Sequence, residues 1–259
     1  MSEYQVPRVW KWDGEAKRSG NQPTAGSRFE QQLPVGQAPL QVYSLGTPNG
    51  VKVTILLEEL KEAGVTDATY DLYKVNIGAG DQFGSDFVKI NPNSKIPAVM
   101  DYAGEKPIRI FESASILVYL AEKFGAFLPK ELAEKTEVMN WLFWQTGAAP
   151  FVGGGFGHFF HYAPTKLEYP IDRYTMETKR QLDVLDQQLA ANDYVAGAEY
   201  TIADIAIWSW YGQLVMDRLY EGAAEFLAVE SYPHVIAWAE KIALRPGVKR
   251  GLAVEYREI

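Results

Sequence analysis

The chain has 259 residues, 47% of them hydrophobic and 22% charged, a globular balance with room for one or two domains. Its 25 Lys and Arg against 33 Asp and Glu leave a net charge of -8, which sets aside nucleic acid and anionic membranes as main partners but allows a local pocket for a small anion. There is no cysteine and only three histidines, His158, His161 and His234, so disulfide scaffolds, thiolate metal sites and a cysteine nucleophile are excluded, no metal is expected, and any thiol chemistry must come from a bound thiol.

The opening MSEYQVPRVWKWDGE lacks an apolar signal core, and no later stretch nears the ~20 apolar residues of a membrane span, which predicts a cytoplasmic protein. Residues 1–39 read as an irregular extension punctuated by proline and glycine, with Trp10 and Trp12 predicting that it packs on the body or on a partner subunit. Leu40–Val42 is a strand-type run, Gly46, Pro48 and Gly50 mark a tight turn, and Val51–Ala63 has helical periodicity that stops at Gly64. Tyr70–Val75 predicts a second strand, and Asn76–Asn93 a polar segment with one helical turn near Ser85–Val88. Ala98–Asp101 and Ile108–Phe111 predict a hairpin across Tyr102–Pro107, followed by an amphipathic helix over Ser113–Phe124 that Gly125 ends. The order β-α-β-(α)-β-β-α over residues 40–125 predicts an α/β thioredoxin-like domain.

No strand is predicted after Leu132, so residues 132–251 are expected to form an all-α C-terminal domain and 252–259 a tail. Glu134–Gln145 reads as helix, Gly147–Pro164 as a loop with the glycine run Gly153–Gly155, and Ile171–Ala191 as a long helix with Leu182, Leu185 and Leu189 on one stripe. Thr201 and Asp204 predict a capping box, with Tyr200 and Ile205 as a hydrophobic staple, and this is read as structural only. Pro233–Leu244 is the last clear helix.

Three junctions could carry chemistry. A strand entering a helix through Gly46–Gly50 leaves backbone N–H groups aimed above the turn, where the helix dipole favours an anion or thiolate, and Thr47 and Asn49 add polar side chains there. Asn49 reads equally well as a plain helix cap. In Asn93–Ser94–Lys95–Ile96–Pro97 the proline belongs at a strand start, and a cis bond there would expose the backbone of Ile96 to an extended peptide; an ordinary loop proline is the rival reading. At Glu112–Ser113 the serine suits a helix N-cap; alternatively Glu112 pairs with the ammonium and Ser113 holds the carboxylate of a free amino-acid end.

TPNG, SKIPA and ESASILVYL in this order resemble the N-terminal domain of glutathione transferases, and the TIAD box with the closing RPGVKRG resembles their helical C-terminal domain, so the likeness spans residues 40–251. The arm, YSLGTPNGVKVTILLEEL, GDQFGSDFVKINPNSKIPA and NWLFWQTGAAPFVGGGFGHFFHYAP narrow it to the bacterial nu-class, the YghU-like disulfide-bond reductases. The resemblance implies two glutathione molecules, or one glutathione disulfide, per active site, and a homodimer. It places Thr47 and Asn49 beside the sulfurs as the catalytic pair, the Ile96 backbone at the cysteinyl part and Glu112 with Ser113 at the γ-glutamyl end, and it counts Pro48, Lys95 and Pro97 among the glutathione-binding residues. Gln82 would touch the first molecule; Asn21 and Arg173 would touch the second. Thr146 stands where relatives carry glutamine, with Gln145 one place earlier.

The expected reaction is reduction of a small-molecule disulfide: one bound glutathione thiolate attacks, the second resolves the mixed disulfide, and glutathione disulfide remains. Lowering a thiol pKa from ~8.5 to ~6.5 takes about 2.7 kcal/mol. A helix N-terminus gives about 0.3–2 kcal/mol and one hydrogen bond to the charged sulfur about 1.5–3 kcal/mol, so Thr47 or Asn49 with the turn suffices. Tyr43 and Ser44 are alternative sulfur contacts, Tyr43 reading better as a packed residue. A conjugating transferase and a non-catalytic scaffold on the same fold, as in a yeast nitrogen regulator of this layout, are the rival functions.

Overall fold

The computed structural model describes residues 4–12, 14 and 22–259. The first half is a β-α-β-α-β-β-α unit: β1 Leu40–Ser44, α1 Gly50–Glu62, β2 Tyr70–Lys74, α2 Ser85–Ile90, β3 Ala98–Asp101, β4 Ile108–Phe111 and α3 Ser113–Phe124. Its sheet has the order β4-β3-β1-β2-β5, with β1 parallel to β2 and β3 antiparallel to both β1 and β4. This is the predicted thioredoxin-like arrangement. The fifth strand was not foreseen: Arg257–Glu258 (β5), in the segment read as a plain tail, adds in parallel to β2. Arg257 pairs with Asp71 and Lys74 with Glu258, so charge contacts hold a segment too short for a periodicity signal.

The second half is helical: α4 Leu132–Pro150, α5 Glu168–Ala191, α6 Ile202–Ile207, α7 Gln213–Val215, α8 Ala223–Phe226, α9 Pro233–Ala243 and α10 Pro246–Leu252. Among the described residues no helix is long and apolar enough to cross a membrane. The predicted loop Gly147–Pro164 is a correction. The chain stays helical to Pro150 and continues as a π-helical segment over Phe151–Tyr162. Its glycines, which read locally as loop punctuation, let rings close on the backbone. A Cβ on Gly153 would sit 2.5 Å from the Trp210 ring, on Gly155 2.2 Å from Tyr174, and on Gly157 2.2 Å from Tyr220.

One apolar core runs through both halves, joining Leu56, Leu57 and Leu117 to Leu142, Leu185, Ile205 and Trp208. The expected stripe of Leu182, Leu185 and Leu189 is buried. At the start of α6 the capping box forms: Thr201 Oγ1 accepts from the Ala203 N–H and Asp204 Oδ2 from the Thr201 N–H. Asp204 also accepts from Val195 N–H and the Trp238 indole, donors that hold back the rise of its pKa, by burial, to about 6.

Helix α1 is buried from Gly50 through Leu60, with α3, α6 and α10 packed against it. The closing RPGVKRG segment makes the α10 contact possible. Arg245 bonds Glu59 in a fork at 2.8 Å, Thr54 Oγ1 donates to Gly251 C=O at 2.7 Å, and a Cβ on Gly251 would fall 2.5 Å from Ile55 Cα. Since that neighbour is backbone, Gly251→Ala is expected to lower stability by about 1–3 kcal/mol. The measurement is a lower urea midpoint at unchanged slope.

The described part of the arm from Gln22 packs on the body. Arg28 N–H donates to Phe83 C=O, Gln31 N–H to Ser85 Oγ, and Leu33 N–H to Asp86, with Leu33 buried. Trp10, by contrast, is 62% exposed.

Candidate functional site

The turn after β1 takes two of the first N–H groups of α1 for itself: Gly50 N–H donates to Thr47 Oγ1 at 3.2 Å and Val51 N–H to Thr47 C=O at 2.9 Å. Thr47, not Asn49, therefore caps the helix with its side chain, which corrects the reading of Asn49 as a cap. Asn49 occupies the cap position without a side-chain bond to the helix. Its Oδ1 instead accepts from the Trp210 indole N–H at 2.9 Å, across from the helical half. An indole nitrogen only donates, so this bond fixes which way the amide faces and leaves both amide N–H groups of Asn49 available. The turn thus offers a side-chain amide, with the Thr47 O–H, where backbone N–H groups were expected.

Two cavities meet at this bridge, and Pro48, Asn49 and Trp210 line both. The first, of about 460 Å³, has Glu112, Ser113 and Lys52 on the sheet side, and Gln145, Thr146 and Gly153 on the helical side. The second, of about 300 Å³, is enclosed by Thr47, Ile77, Gln82, Ser94, Lys95 and Ile96. The Ile96–Pro97 peptide is cis, as the fold-based reading of that proline required. Asn91, buried, holds the loop by donating to Lys95 C=O at 2.6 Å. Among the described residues, no backbone hydrogen bond outside helices and strands uses the N–H or C=O of Ile96, so both are free for an extended ligand. Gln82 is 6% exposed and its Oε1 is buried with no partner, an acceptor waiting for a donor in the second cavity.

At the other end Ser113 is the first residue of α3 rather than its N-cap; Glu112 holds the cap position at φ 68, ψ 121, a left-handed conformation unusual for a residue with a Cβ. The turn presents the Glu112 carboxylate and the Ser113 hydroxyl side by side on the first cavity. Ser113 Oγ accepts from Lys52 Nζ at 3.1 Å, and Gln145 Oε1 accepts from the same ammonium at 2.9 Å. Lys52 is 2% exposed; burial pushes its pKa down to about 7 while Glu112 pulls it back up.

The structure therefore brings together Thr47, Pro48, Asn49, Gln82, Lys95, Ile96, Glu112 and Ser113, with Pro97 shaping the Ile96 backbone. Arg173 lies on the exposed face of α5 and lines neither cavity. Asn21 lies outside the described residues. Of the two residues weighed before Gly147, Thr146 turns its hydroxyl back to Leu142 C=O, and Gln145 points to Lys52. Ser44 is fully buried and lines neither cavity, which removes it as a sulfur contact. Tyr43 is packed as expected, stacked on Tyr73 and donating to Pro34 C=O.

Sequence reasoning missed Lys52, Trp210 and the wall supplied by the π-helical segment. A lysine in the first turn of a helix followed by VTILL was the one available signal, since a cation with no exposed face must meet polar groups.

Residues 38–122 match the glutathione S-transferase N-terminal domain and residues 168–241 the glutathione S-transferase C-terminal domain. The disulfide-bond oxidoreductase YghU of Escherichia coli K12 is 61% identical over 254 residues, covering 97% of this chain and 88% of that protein. The chain belongs to the glutathione S-transferase family. A crystal structure of glutathione transferase YghU from Streptococcus pneumoniae, complexed with glutathione, superposes with a TM-score of 0.97 at 66% identity over 99% of this chain and 100% of that one. A glutathione transferase family member from Pseudomonas fluorescens, with two glutathiones bound, gives a TM-score of 0.77 at 38% identity, covering 84% and 94% of the two chains. Together these support a glutathione-dependent enzyme of this family, and the two-domain architecture of such transferases is the one observed.

Proposed function

We propose that this chain is a nu-class glutathione-dependent disulfide-bond reductase that holds two glutathiones, or one glutathione disulfide, per active site and uses no cysteine of its own. The observation that carries this reading is the pair of cavities meeting at Asn49 and Trp210, each containing an orphaned buried amide atom: Gln82 Oε1 in one and Gln145 Nε2 in the other. A family member that binds two glutathiones adds support.

The residues fit that ligand. A peptide that lays its cysteinyl part along Ile96 meets a free N–H and C=O there, with Gln82 and Lys95 beside it. Its γ-glutamyl end meets Glu112 for the ammonium and Ser113 for the carboxylate, charge-assisted contacts that set orientation. Between those ends lie Thr47, Pro48 and Asn49. Bound glutathione supplies the thiol that exchanges with a small disulfide, two glutathiones giving two reduced thiols and one glutathione disulfide. The Asn49 amide and Thr47 hydroxyl hold negative charge at the sulfur, a contribution of about 1.5–3 kcal/mol for one such bond. These contacts suffice without a general base, and a much lower thiol pKa would weaken attack. Arg173 and Asn21 are assigned to the second molecule. A reducing glutathione pool places the work in the cytoplasm, and the exposed Ile108, Leu132 and Phe143 suit a homodimer.

One observation favours a second reading, a conjugating transferase: Ala149, Pro150, Leu219 and Tyr220 give the first cavity an apolar wall. Calorimetry with glutathione separates the two. Two molecules per subunit, with turnover of a small disulfide, is the expected outcome. One molecule per subunit, with turnover of an aromatic halide, would replace the reductase by the transferase.

A further inference from the structure

We propose that Lys52 is the buried cation that holds, through the Ser113 hydroxyl, the α-carboxylate of the ligand's γ-glutamyl end, with Gln145 as the residue that positions it. This rests on the reading of the first cavity as the γ-glutamyl site.

Lys52 Nζ has two neutral acceptors, Ser113 Oγ at 3.1 Å and Gln145 Oε1 at 2.9 Å, and the Glu112 carboxylate acts on it without a direct bond. An ammonium so buried, with Glu112 acting on it only without a direct bond, is costly and is relieved when an anion arrives from outside. Lysine only donates. Ser113 Oγ must therefore accept from it, and the single proton of the serine hydroxyl is turned away from Lys52, toward the cavity that Ser113 lines. An oriented O–H with a cation directly behind it suits a carboxylate, and Glu112 next to it suits the ammonium of the same zwitterion. Gln145, 1% exposed, can present only its oxygen to the lysine, which leaves its Nε2 buried and unpartnered as a further donor.

The groups facing Lys52 from the surrounding elements are few. The β4–α3 turn brings Glu112 and Ser113, α4 brings Gln145 and Thr146, and the π-helical segment brings Tyr162; Tyr220, its pKa raised by burial, stays neutral. Of these only Glu112 is a carboxylate. With Lys52 pushed down to about 7, much of it is neutral before binding at slightly alkaline pH. A carboxylate held at Ser113 stabilises the ammonium, so this contact takes up a proton above pH 7 and none well below it, apart from the proton that the bound thiol releases with either peptide. By linkage the uptake approaches about one proton per site near pH 8.

The test compares glutathione with 4-aminobutanoyl-cysteinyl-glycine, which keeps the amino group and lacks the α-carboxylate, by calorimetry at pH 8 in two buffers of different ionisation enthalpy. The wild-type protein is expected to prefer glutathione by about tenfold or more and, since both peptides carry the same thiol, to bind glutathione with a net proton uptake greater by up to about one per site. Lys52→Met should bind both peptides alike, within about threefold, with the same net proton change for both. Equal weakening of both peptides, with the preference retained, means that Lys52 is only a strut between α1 and α4, and overturns the proposal. If Lys52→Met does not fold, the wild type decides: equal affinity for both peptides, or the same net proton change with both, overturns it. Failure of the wild type to bind glutathione at all is a separate result, which removes the site reading itself.

Discussion

Asn49→Ala is expected to lower the turnover of glutathione-dependent disulfide reduction by about 10- to 100-fold, while glutathione affinity changes by less than about threefold. The asymmetry follows from where the amide sits. Its oxygen is committed to Trp210 at 2.9 Å, so its two N–H groups face the junction of the cavities, where charge develops on sulfur and not where the peptide is gripped. Asn49→Asp isolates the donor from the bridge. The carboxylate still accepts from Trp210, but it offers no N–H and repels a thiolate, so turnover should fall at least as far as in Asn49→Ala. Thr47→Ala combines two effects, because its hydroxyl also caps α1 by accepting from Gly50. It should cost about 1 kcal/mol of stability besides a smaller loss of turnover. Steady-state kinetics with a small symmetrical disulfide, together with a glutathione titration, checks all three. If Asn49→Ala and Thr47→Ala both match the wild type, the sulfur is held elsewhere.

Glu112→Gly should move stability and binding in opposite directions. Glu112 holds φ 68, ψ 121, a conformation that costs a residue with a Cβ of the order of 1–3 kcal/mol and glycine little. Glycine gives back about 0.4–1 kcal/mol through the greater freedom of the unfolded chain, so a net gain near 1 kcal/mol remains. The same substitution deletes the carboxylate assigned to the ligand ammonium, and glutathione affinity should fall about 10- to 100-fold. A higher urea midpoint with a weaker glutathione titration is the expected pair of results. A protein that gains stability and binds glutathione as before would show that the strained turn serves something other than the amino-acid end.

The parts of the fold that were legible in the sequence are those written in local pattern. The hairpin Ala98–Asp101 and Ile108–Phe111 and the helix Ser113–Phe124 were placed residue for residue, since short apolar runs, a polar turn and Gly125 as a stop are all local signals. The Thr201–Asp204 cap was legible for the same reason. What failed depended on distant packing. Gly153–Gly155 looks like a loop until Trp210 and Tyr174 are seen lying on it, and Arg257–Glu258 is a strand only because β2 is beside it. At the site, Thr47, Asn49, Ile96, Glu112 and Ser113 sit at turns whose sequences are diagnostic. Their division of labour was not legible: Thr47 caps and Asn49 bridges, because Trp210, from the other half of the chain, claims the Asn49 oxygen. Lys52 and Gln145 meet across 93 positions of sequence, and no spacing rule joins them.

The glutathione dependence of disulfide reduction at low glutathione concentration tests the central claim most directly. With two thiols consumed per turnover from two adjoining cavities, the initial rate for a small symmetrical disulfide should rise with the square of glutathione concentration before saturating, with one glutathione disulfide formed per disulfide reduced. A first-order rise with conjugation of an electrophile, and no reduction above the uncatalysed rate, would contradict it.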